Sequence, residues 1–284
     1  MKHLTRRAAV LVAGLALSIA WAQETQPEPD YSVPYAHKSS GSVVVLPPPY
    51  LYSPDNGTSN GTLHFPGREY RSGDGWWILT CGDSKQCKLQ SARLDVAAHP
   101  HPQYDGPDVP GQMLRLTPVP PAGAILVFKP FRAPANALVL AEGQVETWRI
   151  ARATKTPGTM EGELALADGR ILRFVPTLLV PKTPPPERGE SDPLALELLL
   201  DGQRQTLGVF GFGMEGLATL KPADYVRWIG DLDHDGKPDF VVNFNFASDG
   251  SQNFTLFLSS LAKPGEIVGL AGHFSYFSIN NTGC

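Results

Sequence analysis

The stretch Tyr225-Val226-Arg227-Trp228-Ile229-Gly230-Asp231-Leu232-Asp233-His234-Asp235-Gly236-Lys237-Pro238-Asp239-Phe240-Val241-Val242 joins two β-prone apolar runs through a short loop dense in aspartate. Beyond it, Val242, Phe244 and Phe246 alternate with Asn243 and Asn245, and Phe254, Leu256 and Leu258 alternate after the turn Ser248-Asp249-Gly250. Alternation with a period of two marks strands with one face buried. The three segments predict a three-stranded antiparallel meander with the acidic loop at its first connection.

The same grammar extends towards the N-terminus. Asp168-Gly169 separates Glu163-Leu164-Ala165-Leu166 from Ile171-Leu172-Arg173-Phe174, and Asp201-Gly202 separates Leu194–Leu200 from Gln205-Thr206-Leu207. Asp-Gly between apolar runs is a hairpin signal, because the tight turn needs positive φ. Ala124–Lys129 reads as a further strand, and residues 139–145 as strand, turn and strand. With 28 Gly and 27 Pro in 284 residues, long helices have few uninterrupted stretches to occupy. The expected fold is mostly β, sandwich-like or two-lobed and antiparallel, with the meander at its C-terminal end. The Pro- and Gly-rich residues 97–123 suggest a surface excursion or inter-lobe connection. An N-terminal β region over 41–122 and a C-terminal β region over 123–284 follow from placing the boundary there.

The acidic loop carries the clearest chemistry. Asp231, Asp233, Asp235 and Asp239 stand at loop positions one, three, five and nine, with Gly236 at position six. Calcium takes six to eight oxygens, and alternate residues on a tightly curved loop aim their oxygens at one centre. Lys237 would contribute its backbone carbonyl, and Gly236 permits the bend. Without an ion the crowded carboxylates repel one another, so a structural Ca2+ is the expected cofactor. An EF-hand is excluded, since Val242 stands where its closing Glu belongs.

Gly230-Asp231-Leu232-Asp233-His234-Asp235-Gly236-Lys237-Pro238-Asp239-Phe240-Val241-Val242 resembles the calcium loop of FG-GAP and VCBS-type repeats, in which GDLDGDGxPD stands between two strands. His234 departs from that pattern, at a position whose side chain should point outward. The resemblance spans about 15 to 20 residues and implies a calcium ligand set, not a propeller, because the motif occurs once here. With Thr255–Ser260 and the terminal Gly283-Cys284, the tail is also similar to those of exported bacterial proteins that carry one such loop.

The N-terminus supports export. Met1–Arg7 is basic, residues 8–20 are apolar, and Ala20-Trp21-Ala22 supplies the small-x-small site, so residues 1–22 read as a signal peptide cleaved before Gln23. Thr5-Arg6-Arg7 leaves both the general and the twin-arginine export routes open. Residues 23–40 are polar and proline-rich and read as a mobile arm. No segment after the cleavage site is long and apolar enough for a membrane span. Cleavage removes Lys2, Arg6 and Arg7 and no acid, which takes the formal net charge from −4 to −7 and argues against nucleic acid as a partner. In an oxidising compartment, Cys81 and Cys87 are expected to pair across a hairpin, leaving Cys284 over.

Other constellations have ordinary readings. Gly82-Asp83-Ser84 resembles the nucleophile segment of GDSL-type hydrolases but sits in the cysteine hairpin. His99 and His101 are too few for a zinc site. Trp76-Trp77 and Tyr50-Leu51-Tyr52 could offer aromatic surface to a glycan, although adjacent strand residues face opposite ways and one tryptophan belongs in the core. The functional expectation is therefore an exported, periplasmic or secreted calcium-binding β protein that engages an envelope protein or glycan. The alternative is a hydrolase whose site is assembled from distant residues.

Overall fold

The computed structural model describes residues 43–46, 62–63, 70–82, 86–98, 112–121, 123–130, 138–150, 152–156, 159–178, 194–210, 221–244 and 252–276. The proposed signal peptide and arm, Tyr50-Leu51-Tyr52, His99, His101, the Ser248-Asp249-Gly250 turn and Cys284 lie outside the described residues. The chain is mostly β and antiparallel, with a single short helix, α1 (Pro222–Tyr225), and one 3-10 turn (Ser259–Leu261) among the described residues.

Two sheets account for the strands. The larger contains β1 (Val43–Leu46), β2 (Thr62–Leu63), β3 (Gly73–Cys81), β4 (Cys87–Ala98), β5 (Gln112–Thr117), β6 (Ala124–Pro130), β7 (Gly143–Thr147), β13 (Val226–Asp231), β14 (Asp239–Asn243), β15 (Gln252–Leu258) and β16 (Gly269–Tyr276). Its main path runs β1-β6-β3-β4-β7-β13-β14-β15-β16, with β5 branching from β4. Because β1 also lies against β16, the sheet curls until its two ends meet. The smaller sheet, in order β12-β11-β10-β9-β8, comprises β8 (Arg152–Thr156), β9 (Thr159–Ala165), β10 (Ile171–Leu178), β11 (Leu194–Leu200) and β12 (Gln203–Val209).

The expected hairpins form. Asp201 and Gly202 take φ of 49° and 80°, the paired positive values of a tight two-residue turn between β11 and β12. Gly169 takes φ 84° in the connection from β9 to β10, where the Gly169 N–H donates to the Leu166 carbonyl. Cys81 and Cys87 are register partners at the end of the β3–β4 hairpin and form a disulfide with Cα atoms 4.0 Å apart. Trp76 is core and its neighbour Trp77 is only partly buried, as strand alternation requires.

Two stretches differ from the sequence reading. Within 97–123, β4 continues to Ala98 and β5 pairs with it, because Leu114 and Leu116 alternate with Arg115 and bury themselves in the core. Prolines on either side masked that short pattern. Within 139–145 only β7 is a strand; Val139 is exposed, while Leu138 and Leu140 rest partly buried against the core.

The meander gains a fourth strand, β16, and is covered on both faces. Trp228, Val241 and Leu256 face the interior of the curled sheet with Ile78, Leu94 and Leu126. Ile229, Phe240, Val242 and Phe257 face the smaller sheet, meeting Leu172, Phe174 and Leu196. Phe174 and Phe240 contact edge to face at 5.2 Å. Burying each such side chain contributes about 1.5–3 kcal/mol, and burial on two faces explains why Phe240-Val241-Val242 is apolar without alternation.

Gln205 fastens the smaller sheet to the segment before β16. Its side-chain carbonyl accepts the Ile267 N–H at 2.7 Å and the Val268 N–H at 3.1 Å, and its amide donates to the Val268 carbonyl at 2.7 Å. Gln205→Leu orphans these backbone groups and is expected to lower stability by about 2 kcal/mol in urea denaturation, with an unchanged m-value.

Candidate metal centre

The loop between β13 and β14 is aimed by its one apolar residue. Leu232 is fully buried in the core of the curled sheet, so its neighbours Asp231 and Asp233 turn the other way and stand on a common side. Gly230 closes the approach: a Cβ there would collide with the Glu146 carbonyl oxygen and the Trp228 ring. β7 therefore lies tight against the end of β13, with Gly230 opposite Thr147 and Asp231 opposite Glu146.

Asp231, Asp233 and Asp239 converge, each buried, with one carboxylate oxygen apiece within 4.8 Å of the others. The Asp231 carboxylate accepts the backbone N–H groups of Asp235 at 3.0 Å and Gly236 at 2.9 Å, which winds the loop around it. Asp239, fully buried, accepts the Leu232 N–H at 2.7 Å and the Ser259 N–H at 2.8 Å. Asp233 accepts the Ser260 hydroxyl through Oδ2, whereas its Oδ1 is buried without a hydrogen-bond partner. An orphaned buried carboxylate oxygen is costly unless something cationic meets it.

Asp235 and Lys237 are the other two expected ligands. Asp235 is exposed and stands outside the buried trio; its carboxylate accepts the Lys237 N–H at 2.9 Å and the Ser259 hydroxyl at 2.9 and 3.0 Å. The Ser259 hydroxyl also lies 3.2 Å from Asp239 Oδ1, so one hydrogen is shared among carboxylate oxygens of two acids. Lys237 is exposed and enters the loop through its N–H. Ser259 and Ser260 are the site residues that sequence reasoning missed. Their position directly after the third strand of the meander was the available signal, since antiparallel pairing of β14 with β15 returns the chain to the loop.

Crowding is visible in proton affinity. Burial pushes the Asp239 carboxyl well above its usual range, and the neighbouring Asp233 adds to the rise against the hydrogen bonds from Ser259 and Leu232. Burial likewise raises Asp233, reinforced by Asp235 and Asp231 and opposed by Ser260. An all-carboxylate set at this spacing suits a hard cation, which would hold the acids ionised. The buried cluster can thus hold a metal ion, with Asp233 Oδ1 as the oxygen most in need of one.

His234 is exposed, as its place in the loop requires, and has φ 61°. A side chain in that left-handed region costs about 1–2 kcal/mol, partly offset by the unfolded-state entropy a glycine would add. His234→Gly is therefore expected to raise stability by about 0.5–1 kcal/mol in thermal or urea unfolding, leaving ion binding intact.

Compared with family models, curated proteins and solved structures, the chain matches none.

Proposed function

We propose that the protein is an exported β module whose acidic loop holds a structural calcium ion and whose surface engages an envelope protein or glycan. The observation that carries the metal assignment is the buried convergence of Asp231, Asp233 and Asp239 with Asp233 Oδ1 lacking a partner. Calcium fits best among hard cations because the donors are carboxylates on a curved loop and calcium tolerates irregular oxygen shells, whereas magnesium demands a near-ideal octahedron. Resemblance of residues 230–242 to the FG-GAP and VCBS-type loop supports the same ion. The loop acids are engaged by Ser259, Ser260 and backbone N–H groups, which favours a clamp over a catalytic centre.

An exported location is supported by the basic, apolar and small-residue order of residues 1–22 and by the Cys81–Cys87 disulfide. The mature chain, immobilised and exposed to envelope extract, is expected to retain a partner in calcium and release it in chelator. Identical retention in both conditions would count against a calcium-organised binding module.

A further inference from the structure

Away from the metal loop, a cleft of about 560 Å3 opens beside the start of β13. β7 and β13 pair only at Gly230–Thr147 and Asp231–Glu146, followed by one more bond from the Trp148 N–H to the Ile229 carbonyl. The cleft is lined on one side by residues just past β7 and on the other by the first residues of β13. Its apolar lining includes Trp148, Ile150, Pro222 and Val226. Three exposed cations belong to it as well: Arg149 from one lip, Arg227 from the other, and Lys221 at the head of α1.

Its chemistry is one-sided. No carboxylate is among the described lining residues, and the three cations have no ion-pair partner among the described residues. The uncharged polar side-chain groups of the lining are the Thr147 hydroxyl, which donates to the Val145 carbonyl at 3.1 Å, and the indole N–H groups of Trp148, which donates to Glu146 at 2.9 Å, and of Trp228. The lining surface is mostly apolar, which favours an apolar ligand body. Three cations around an apolar floor, on a chain of net negative charge, select a negative head group. The size lies within the roughly 300–1,000 Å3 typical of small-molecule sites.

We propose that this cleft binds an alkyl carboxylate, with the chain on the Trp148, Ile150, Pro222 and Val226 surface and the carboxylate among Arg149, Arg227 and Lys221. Bidentate geometry makes arginine the stronger of the two cation types for this task. The site is separate from the calcium reading, since no loop aspartate lines the cleft, and either can fail alone.

Calorimetric titration of the disulfide-intact mature chain with dodecanoate, below its micelle concentration, tests the proposal against two probes of equal chain length, dodecanol and dodecyltrimethylammonium. The expected result is saturable one-site binding of dodecanoate, at least tenfold weaker binding of the alcohol and none of the ammonium. Arg149→Glu with Arg227→Glu should weaken dodecanoate at least tenfold; should that variant fail to fold by circular dichroism, Lys221→Glu and the wild-type comparison of head groups carry the test. Absence of saturable dodecanoate binding, equal affinity for all three probes, or an undiminished affinity in the folded charge-reversal variant would overturn it.

Discussion

Asp239→Ala is expected to cost about 4 kcal/mol in calcium, because it orphans two buried backbone N–H groups at about 1–3 kcal/mol each and removes a carboxylate from the proposed calcium site. Leu232 and Ser259 both donate backbone N–H groups to this side chain, so it ties the loop to the chain that follows β15. In chelator the loss should keep its sign but shrink, since removing Asp239 also relieves its repulsion with Asp233. Urea denaturation in both conditions checks this as a lowered midpoint at constant slope. A neutral outcome in both would mean that these hydrogen bonds do not hold the loop.

The second large effect is a calcium-dependent melting temperature whose pH dependence reverses when the ion is removed. With free calcium at a hundred times its dissociation constant the folded state gains about 2.7 kcal/mol, or roughly 5–10 °C for a domain of this size. In chelator, the raised carboxyls of Asp233 and Asp239 hold protons in the folded state that the unfolded chain has already released. Their contribution is most favourable below the ordinary aspartate range, near pH 4, and is lost as pH rises through the elevated folded values. In calcium the same groups must be ionised to bind, so the stabilisation grows with pH and protons compete it away. The difference between the two melting curves is therefore expected to vanish near pH 4 and widen towards neutrality. Asp233→Asn sharpens the test: at neutral pH it should raise the melting temperature in chelator by removing a buried charge, yet abolish most of the gain from calcium. A variant that lowers stability equally in both conditions would contradict the role given to Asp233.

Much of the architecture is written in local sequence. Asp201-Gly202 forces a tight turn because both residues must take positive φ, and the alternation of Phe254, Leu256 and Leu258 gives β15 its inward face. The loop was legible from its spacing, with aspartates at positions one, three, five and nine and glycine at six. What could not be read is what depends on distant pairing. Ser259 and Ser260 look like ordinary polar residues until β15 returns them to the aspartates. Phe240 and Val242 reveal an apolar strand, but not that a second sheet covers them. Asp235 has the spacing of a ligand; it stands exposed beside the buried trio and is linked to Asp239 through the Ser259 hydroxyl, a bridge that its spacing alone does not show.

The most direct measurement is an isothermal titration of calcium into the chelator-stripped mature chain at neutral pH, alongside Asp233→Asn. One calcium ion per chain in the wild type, with affinity lowered at least tenfold in the variant, is the predicted result. No saturable heat in a wild-type protein that is otherwise folded, or equal binding by the variant, would contradict a metal centre built on Asp231, Asp233 and Asp239.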